Sequence, residues 1–151
     1  MSYKLVDAKG KIMGRLCSFL ARHAQQGENI VIINAKDAVI TGSVPSITHW
    51  RIDKQNIHTH ARPLDGPFWP HRPDTMLRHC LRGMMPKNDR GERALRRVQV
   101  FVAGIPDHLK HKYPVEGEIQ VPKADGDKTK AKNLMTLGEL GFQIGWESRA
   151  Q

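Results

Sequence analysis

The run Ile30-Val31-Ile32-Ile33 restricts the fold more than any other stretch of the sequence. Four consecutive β-branched apolar residues, with no polar alternation, mark a strand covered on both faces, as in a parallel sheet. Parallel neighbours cannot be joined by a hairpin and need a crossover, usually a helix. The preceding residues supply one. Tyr3–Val6 reads as a first strand and Asp7-Ala8-Lys9-Gly10 as a turn. From Gly14 the spacing of Leu16, Phe19, Leu20 and Ala24 predicts a helix, with Arg15, Ser18, Arg22 and Gln25 on its other face. Gly27 ends it. Strand, helix and buried strand within about 30 residues make a βαβ unit. The expected class is therefore α/β, with a small, mostly parallel sheet and helices on both faces.

The middle of the chain is less regular. A weakly amphipathic helix is expected within Ser43–Gln55, beginning after Pro45, with Ile47, Trp50 and Lys54 on one side. Residues 56–73 hold Pro63, Gly66, Pro67, Pro70 and Pro73 and cannot build a ladder or a helix. Phe68 and Trp69 are interleaved there with Arg62, His71 and Arg72. Rings and cations in an extended loop suit RNA, where bases stack and phosphates need neutralising. Anchoring of the two rings on the protein's own core explains them equally well. A second amphipathic helix starts at Pro73, with Asp74 as its N-cap and Met76, Leu77, Cys80 and Leu81 inward. Arg78 and Arg82, at i and i+4, share a neighbouring face.

A basic stretch follows. Arg82, Lys87, Arg90, Arg93, Arg96 and Arg97 are opposed only by Asp89 and Glu92. Gly83, Pro86 and Gly91 predict a tight loop, Ala94-Leu95 a short helical turn, and Val98–Val102 a buried strand. Positive φ is expected at Gly83 or Gly91, and Met84, apolar among polar neighbours, is expected to plug the loop onto the core. Gly104–Lys112 reads as a basic turn or one-turn helix. Residues 115–133 read as a polar extended arm, partly disordered in isolation. Thr136 is placed to cap a terminal helix that packs Leu140 and Ile144, with Trp146 as an anchor.

At 151 residues the chain is about one domain long, with 56–73 and 115–133 as extensions, and its net charge of +9 favours an anionic partner. No apolar run approaches the roughly 18 residues a membrane span requires, and no signal peptide is expected. Other chemistries lack their motifs. The turn Gly10-Lys-Ile-Met-Gly14 is neither a dinucleotide fingerprint nor a Walker A loop, so Gly10 and Gly14 are expected to shape the turn and allow close helix packing. His58, His60, His79 and Cys80 do not form a recognisable zinc pattern. Cys17 and Cys80 are expected to be reduced thiols on apolar helical faces, without a disulfide. No nucleophile motif supports a Ser/His/Asp enzyme, and neither a recognition helix nor a zinc finger is legible for DNA. No cofactor and no small-molecule substrate are expected.

The segment Arg82-Gly83-Met84-Met85-Pro86, its basic spacer, Gly91, the short helix and the apolar strand resemble the signature of the ribosomal protein L13 family, with Met85 where the family usually has Leu. Val6-Asp7-Ala8, Gly14-Arg15-Leu16-Cys17, Asn34-Ala35, Ile40-Thr41-Gly42 and Phe68-Trp69-Pro70-His71-Arg72-Pro73 resemble further family elements, and Leu134–Leu140 is similar to the archaeal C-terminal element. The resemblance runs from about Leu5 to Trp146. It implies a three-layer α/β/α fold and a non-enzymatic protein of the large ribosomal subunit in the cytoplasm. The implied partners are 23S-type rRNA and neighbouring ribosomal proteins. Matching the motif puts phosphate contacts first at Arg82, Lys87, Arg90, Arg93, Arg96 and Arg97, with one or two of Arg93, Arg96 and Arg97 expected to pair with acidic residues instead. Arg15, Arg62, His71, Arg72, Arg78 and Lys110 come second.

Overall fold

The computed structural model describes residues 2–62, 64–121 and 133–147. In chain order the first half gives β1 (Tyr3–Asp7), α1 (Met13–Gln25), β2 (Ile30–Ile33), β3 (Val39–Thr41) and α2 (Val44–Asn56). The second half gives α3 (Pro73–Gly83), α4 (Asp89–Arg96), β4 (Val98–Val100), β5 (Val115–Glu118), β6 (Leu134–Thr136) and α5 (Leu137–Gln143). The main sheet has the order β4-β2-β1-β5 and every pairing in it is parallel. Leu5 lies opposite Val31, and Ile32 opposite Val100. β2 is thus an inner strand, and Ile30, Val31 and Ile32 are fully buried. β3 and β6 form a separate antiparallel pair. With five α-helices around the four-stranded sheet, the architecture is consistent with the expected three-layer α/β/α arrangement.

α1 buries Leu16, Cys17, Leu20, Ala21 and Ala24 in one core cluster with Leu77 and Leu81 of α3, Ala94 of α4 and Val98 of β4. The Cys17 sulfur lies 3.7 Å from the Leu77 carbonyl oxygen, and Cys80 is half-buried. The carboxyl ends of β1 and β2 are tied by Asn34, whose Nδ2 donates to Asp7 Oδ1 at 2.9 Å from a left-handed backbone (φ 56). Gly10 makes the preceding turn with φ 66. Gly14 does not serve close packing as expected, since a Cβ there would meet no neighbouring group within 4 Å.

Several boundaries differ from the sequence reading, each for a local reason. α2 begins before Pro45, which sits in the first turn, where its fixed φ is helical and its missing N–H is not needed. At α3 the N-cap position belongs to Arg72, and Asp74 lies in the first turn, paired with Arg72 at 3.0 Å. The run Val98–Val102 forms a strand only to Val100. Beyond it Phe101 and Val102 turn their carbonyls to the backbone N–H groups of Ala35 and Lys36 and hold the 3₁₀ turn Ala35–Asp37 instead. The expected arm begins as part of the sheet, because Val115–Glu118 is edge strand β5 beside β1. Its residues 122–132 lie outside the described residues. At the far end Thr136 and Glu139 form a capping box, with Thr136 Oγ1 accepting from Glu139 N at 3.1 Å. Leu140 and Ile144 are buried and Trp146 is half-buried. No helix among the described residues is long and apolar enough to cross a membrane.

Candidate nucleic-acid interface

The basic stretch is anchored between α3 and β4. Met76, Leu77 and Leu81 fix α3 to the core. The next turn is pinned by Met85, only 6% exposed, whereas Met84 is 39% exposed. The plug is therefore Met85, not Met84 as the polar context suggested. α3 runs on to Gly83, so the following residue falls on the outer side of the turn. Asn88 then caps α4, its Oδ1 accepting from Gly91 N at 3.0 Å. This cap starts the helix at Asp89, several residues before the expected turn at Ala94, and places Gly91 inside it. Neither Gly83 nor Gly91 has a positive φ. Gly91 is needed for close approach instead: a Cβ there would overlap the Pro86 carbonyl oxygen. Gly91 and Ala94 form the buried side of α4, which leaves Arg90, Arg93 and Arg96 outside.

The expected cations divide by what they already hold. Arg15, Arg82, Lys87, Arg90 and Arg93 are exposed and have no ion-pair partner among the described residues. Arg96 is paired with Glu92 at 2.7 Å, one turn earlier on α4. Arg97 is half-buried at the end of that helix. Arg78 donates from NH1 to Val98 O at 3.4 Å, and His71 Nδ1 lies 3.0 Å from Ile144 O, so both help to hold the domain. Arg62, Arg72 and Lys110 pair with Asp65, Asp74 and Asp107 on their own loops and turns. Such exposed pairs contribute little to stability.

Arg82 and Lys87 line one cleft of about 690 Å³ with His79, Asn88 and Leu95. A second cleft of about 420 Å³ shares His79, Arg82 and Leu95 with it and adds Phe68, Trp69 and Arg78. The two make one cationic trough with aromatic rings at one end. Phe68 is 73% exposed, while Trp69 is half-buried edge-on to His79 at 5.3 Å between ring centroids. Trp69 is therefore partly anchored on the protein itself and Phe68 is not. Burial, with Arg82 and Arg51 nearby, lowers the His79 pKa below the ordinary histidine value and favours the neutral ring. His79 was not among the residues singled out for nucleic acid, because in sequence it is one polar residue on an amphipathic helix. Among the described residues no group of three His, Cys, Asp or Glu side chains is arranged to hold a metal.

Residues 2–105 match the family model described as ribosomal protein L13. The chain is similar to large ribosomal subunit protein uL13 of Methanopyrus kandleri, 33% identical over 149 residues, covering 96% of this chain and 88% of the relative. It is 36% identical to the Methanocaldococcus jannaschii protein of the same name, covering 93% and 96% of the two chains. With the Archaeoglobus fulgidus protein of that name it shares 37% identity over 147 residues, covering 95% and 88%.

Proposed function

The chain belongs to the ribosomal protein L13 family, a structural and non-enzymatic component of the large ribosomal subunit, and from that premise we propose that its basic trough binds large-subunit rRNA and supports subunit assembly. The observation that carries this reading is the set of exposed cations Arg82, Lys87, Arg90 and Arg93, without ion-pair partners among the described residues, on a connection held by buried Met85, the Asn88 cap and the Gly91–Pro86 contact. The planar guanidinium fork is pre-organised for phosphate oxygens, so less freedom is lost per hydrogen bond, and polyanion binding gains from released counterions. Arg96 and Arg97 extend the set. Arg15, Arg62, His71, Arg72, Arg78 and Lys110 form a second group, of which His71 and Arg78 also hold backbone carbonyls of the protein itself. The chain acts as one domain, with 56–73 and 115–133 as extensions, and its partners are large-subunit rRNA and neighbouring large-subunit proteins.

The test is affinity for a large-subunit rRNA fragment as a function of salt. Affinity falls by somewhat under one log unit per log of salt for each phosphate contact. Replacing Arg82 and Arg90 together by Ala is expected to flatten the slope by about two units while the melting temperature stays nearly constant. An unchanged slope with intact folding would place the RNA surface elsewhere.

A further inference from the structure

A third cavity, of about 450 Å³, lies under α2 and is lined by Trp50, Arg51, Trp69, Met76, His79 and Leu140 among others. Trp69 and His79 also line the cationic trough, so the cavity adjoins it. Its walls are mostly apolar, and they hold two indole rings edge to face at 6.1 Å. One charge lies in this wall. Arg51 is the residue α2 buries, at 8% exposed. Its Nη2 donates to Pro70 O at 3.3 Å, its Nε has no acceptor, and no carboxylate pairs with it among the described residues. The guanidinium carbon stands 5.4 Å from the centre of the Trp69 ring. Lys54, one turn further along α2, reaches within 5.7 and 5.8 Å of the Trp50 and Trp69 ring centres.

A buried cation without a counter-ion costs stability, and apolar residues of the same size would remove that cost. Its presence calls for an occupant that is flat, mostly apolar and rich in acceptors. We propose that this cavity receives one unpaired nucleobase of the bound RNA, with its face against the exposed Trp50 ring, Trp69 bordering it at a steep angle, and its acceptor edge met by Arg51, while Lys54 neutralises the adjoining phosphate. The inference rests on the rRNA-binding reading and refines it. RNA is read through bases splayed out of loops and stacked on aromatic and guanidinium planes. Arginine supplies the donor fork that base acceptors need. An apolar protein side chain would fill the same space and leave Arg51 unsatisfied. The shared walls Trp69 and His79 bring a base to the cavity when its strand lies along Arg82 and Lys87.

The test uses the full chain and purified large-subunit rRNA. Short-wavelength ultraviolet crosslinking, nuclease digestion and peptide mass spectrometry are expected to find a nucleotide on the peptides carrying Trp50 or Trp69. Arg51→Met keeps the volume and removes the charge. It is expected to hold or raise the melting temperature, yet weaken rRNA binding roughly tenfold, the scale of one lost base contact. Its salt slope stays that of the wild type, because no phosphate contact is removed. Trp50→Ala, at a residue already 52% exposed, is a second variant that leaves the core intact and is expected to lose the crosslink and several-fold in affinity. Wild-type affinity and slope in both folded variants, with no crosslink near the two tryptophans, would overturn the base site while leaving the phosphate-binding trough standing. Unchanged rRNA affinity with lost incorporation into the subunit would overturn it too, and assign the cavity to a protein neighbour. A wild-type salt slope in the Arg82/Arg90 double variant would instead remove the rRNA reading on which the site depends.

Discussion

Gly91 of α4 lies so close to Pro86 that the Pro86 carbonyl oxygen occupies the place of a Cβ. The contact closes the turn between α3 and α4 and fixes the angle at which the cationic helix leaves the core.

Gly91→Ala should therefore act as overpacking against backbone, at a cost of about 1–3 kcal/mol. In a chain of this size that lowers the melting temperature by several degrees. Gly83→Ala should leave it unchanged or slightly raised, since no group lies within 4 Å of a Cβ there and Ala is the better helix former. Thermal melts of the two variants make the comparison, and equal losses would contradict it.

Met85 and Met84 are adjacent but differ in burial, at 6% and 39% exposed. Met85→Ala removes a buried side chain and should cost about 2–5 kcal/mol. Met84→Ala should stay within about 0.5 kcal/mol, the usual range for a surface change. Denaturant unfolding curves distinguish the pair.

Two side-chain caps offer a paired experiment. Asn88 accepts from Gly91 N at 3.0 Å at the start of α4, and Thr136 accepts from Glu139 N at 3.1 Å at the start of α5. Each replacement by Ala should cost about 0.5–2 kcal/mol. Only Asn88→Ala should also weaken rRNA binding, because only α4 carries the exposed arginines. Calorimetric melts combined with filter binding would show whether the two losses separate in this way.

Glu28 joins the start of β1 to the end of α1. Lys4 Nζ approaches its carboxylate at 2.5 Å and His23 Nδ1 at 2.9 Å. The hydrogen bond from Lys4, and then that from His23, hold the Glu28 carboxyl below the ordinary glutamate pKa. A lowered folded-state pKa stabilises the fold above the unfolded value, near 4.3, and that contribution is lost as pH falls through the folded value. Glu28→Gln should thus lower the melting temperature at pH 7, and the difference should shrink steadily below about pH 4.3. A difference that is constant with pH would show the pair to be packing rather than charge.

Much of the fold was written in local pattern. The unbroken Ile30–Ile33 run required two covered faces, and β2 is an inner strand with parallel neighbours on both sides. The spacing of Leu16, Leu20 and Ala24 set the buried face of α1, and Thr136 announced the cap of α5. These features were legible because each depends on residues near one another in the chain. The tertiary structure decided what depends on distant partners. Val115–Glu118 has no apolar period of its own and becomes a strand only because the edge of β1 is unpaired there. Phe101 and Val102 look like strand but are drawn off by the N–H groups of Ala35 and Lys36. Met85 rather than Met84 faces the core because α3 continues to Gly83, a one-residue difference in where a helix stops. The cations of the basic stretch were visible as charge, but which ones stay unpaired depends on neighbours such as Glu92 for Arg96. Arg51 left no sequence signal at all. Its weakly amphipathic helix offers no period to single it out, and its burial arises only where α2 and the Trp69–Pro70 segment, far apart in sequence, close over it.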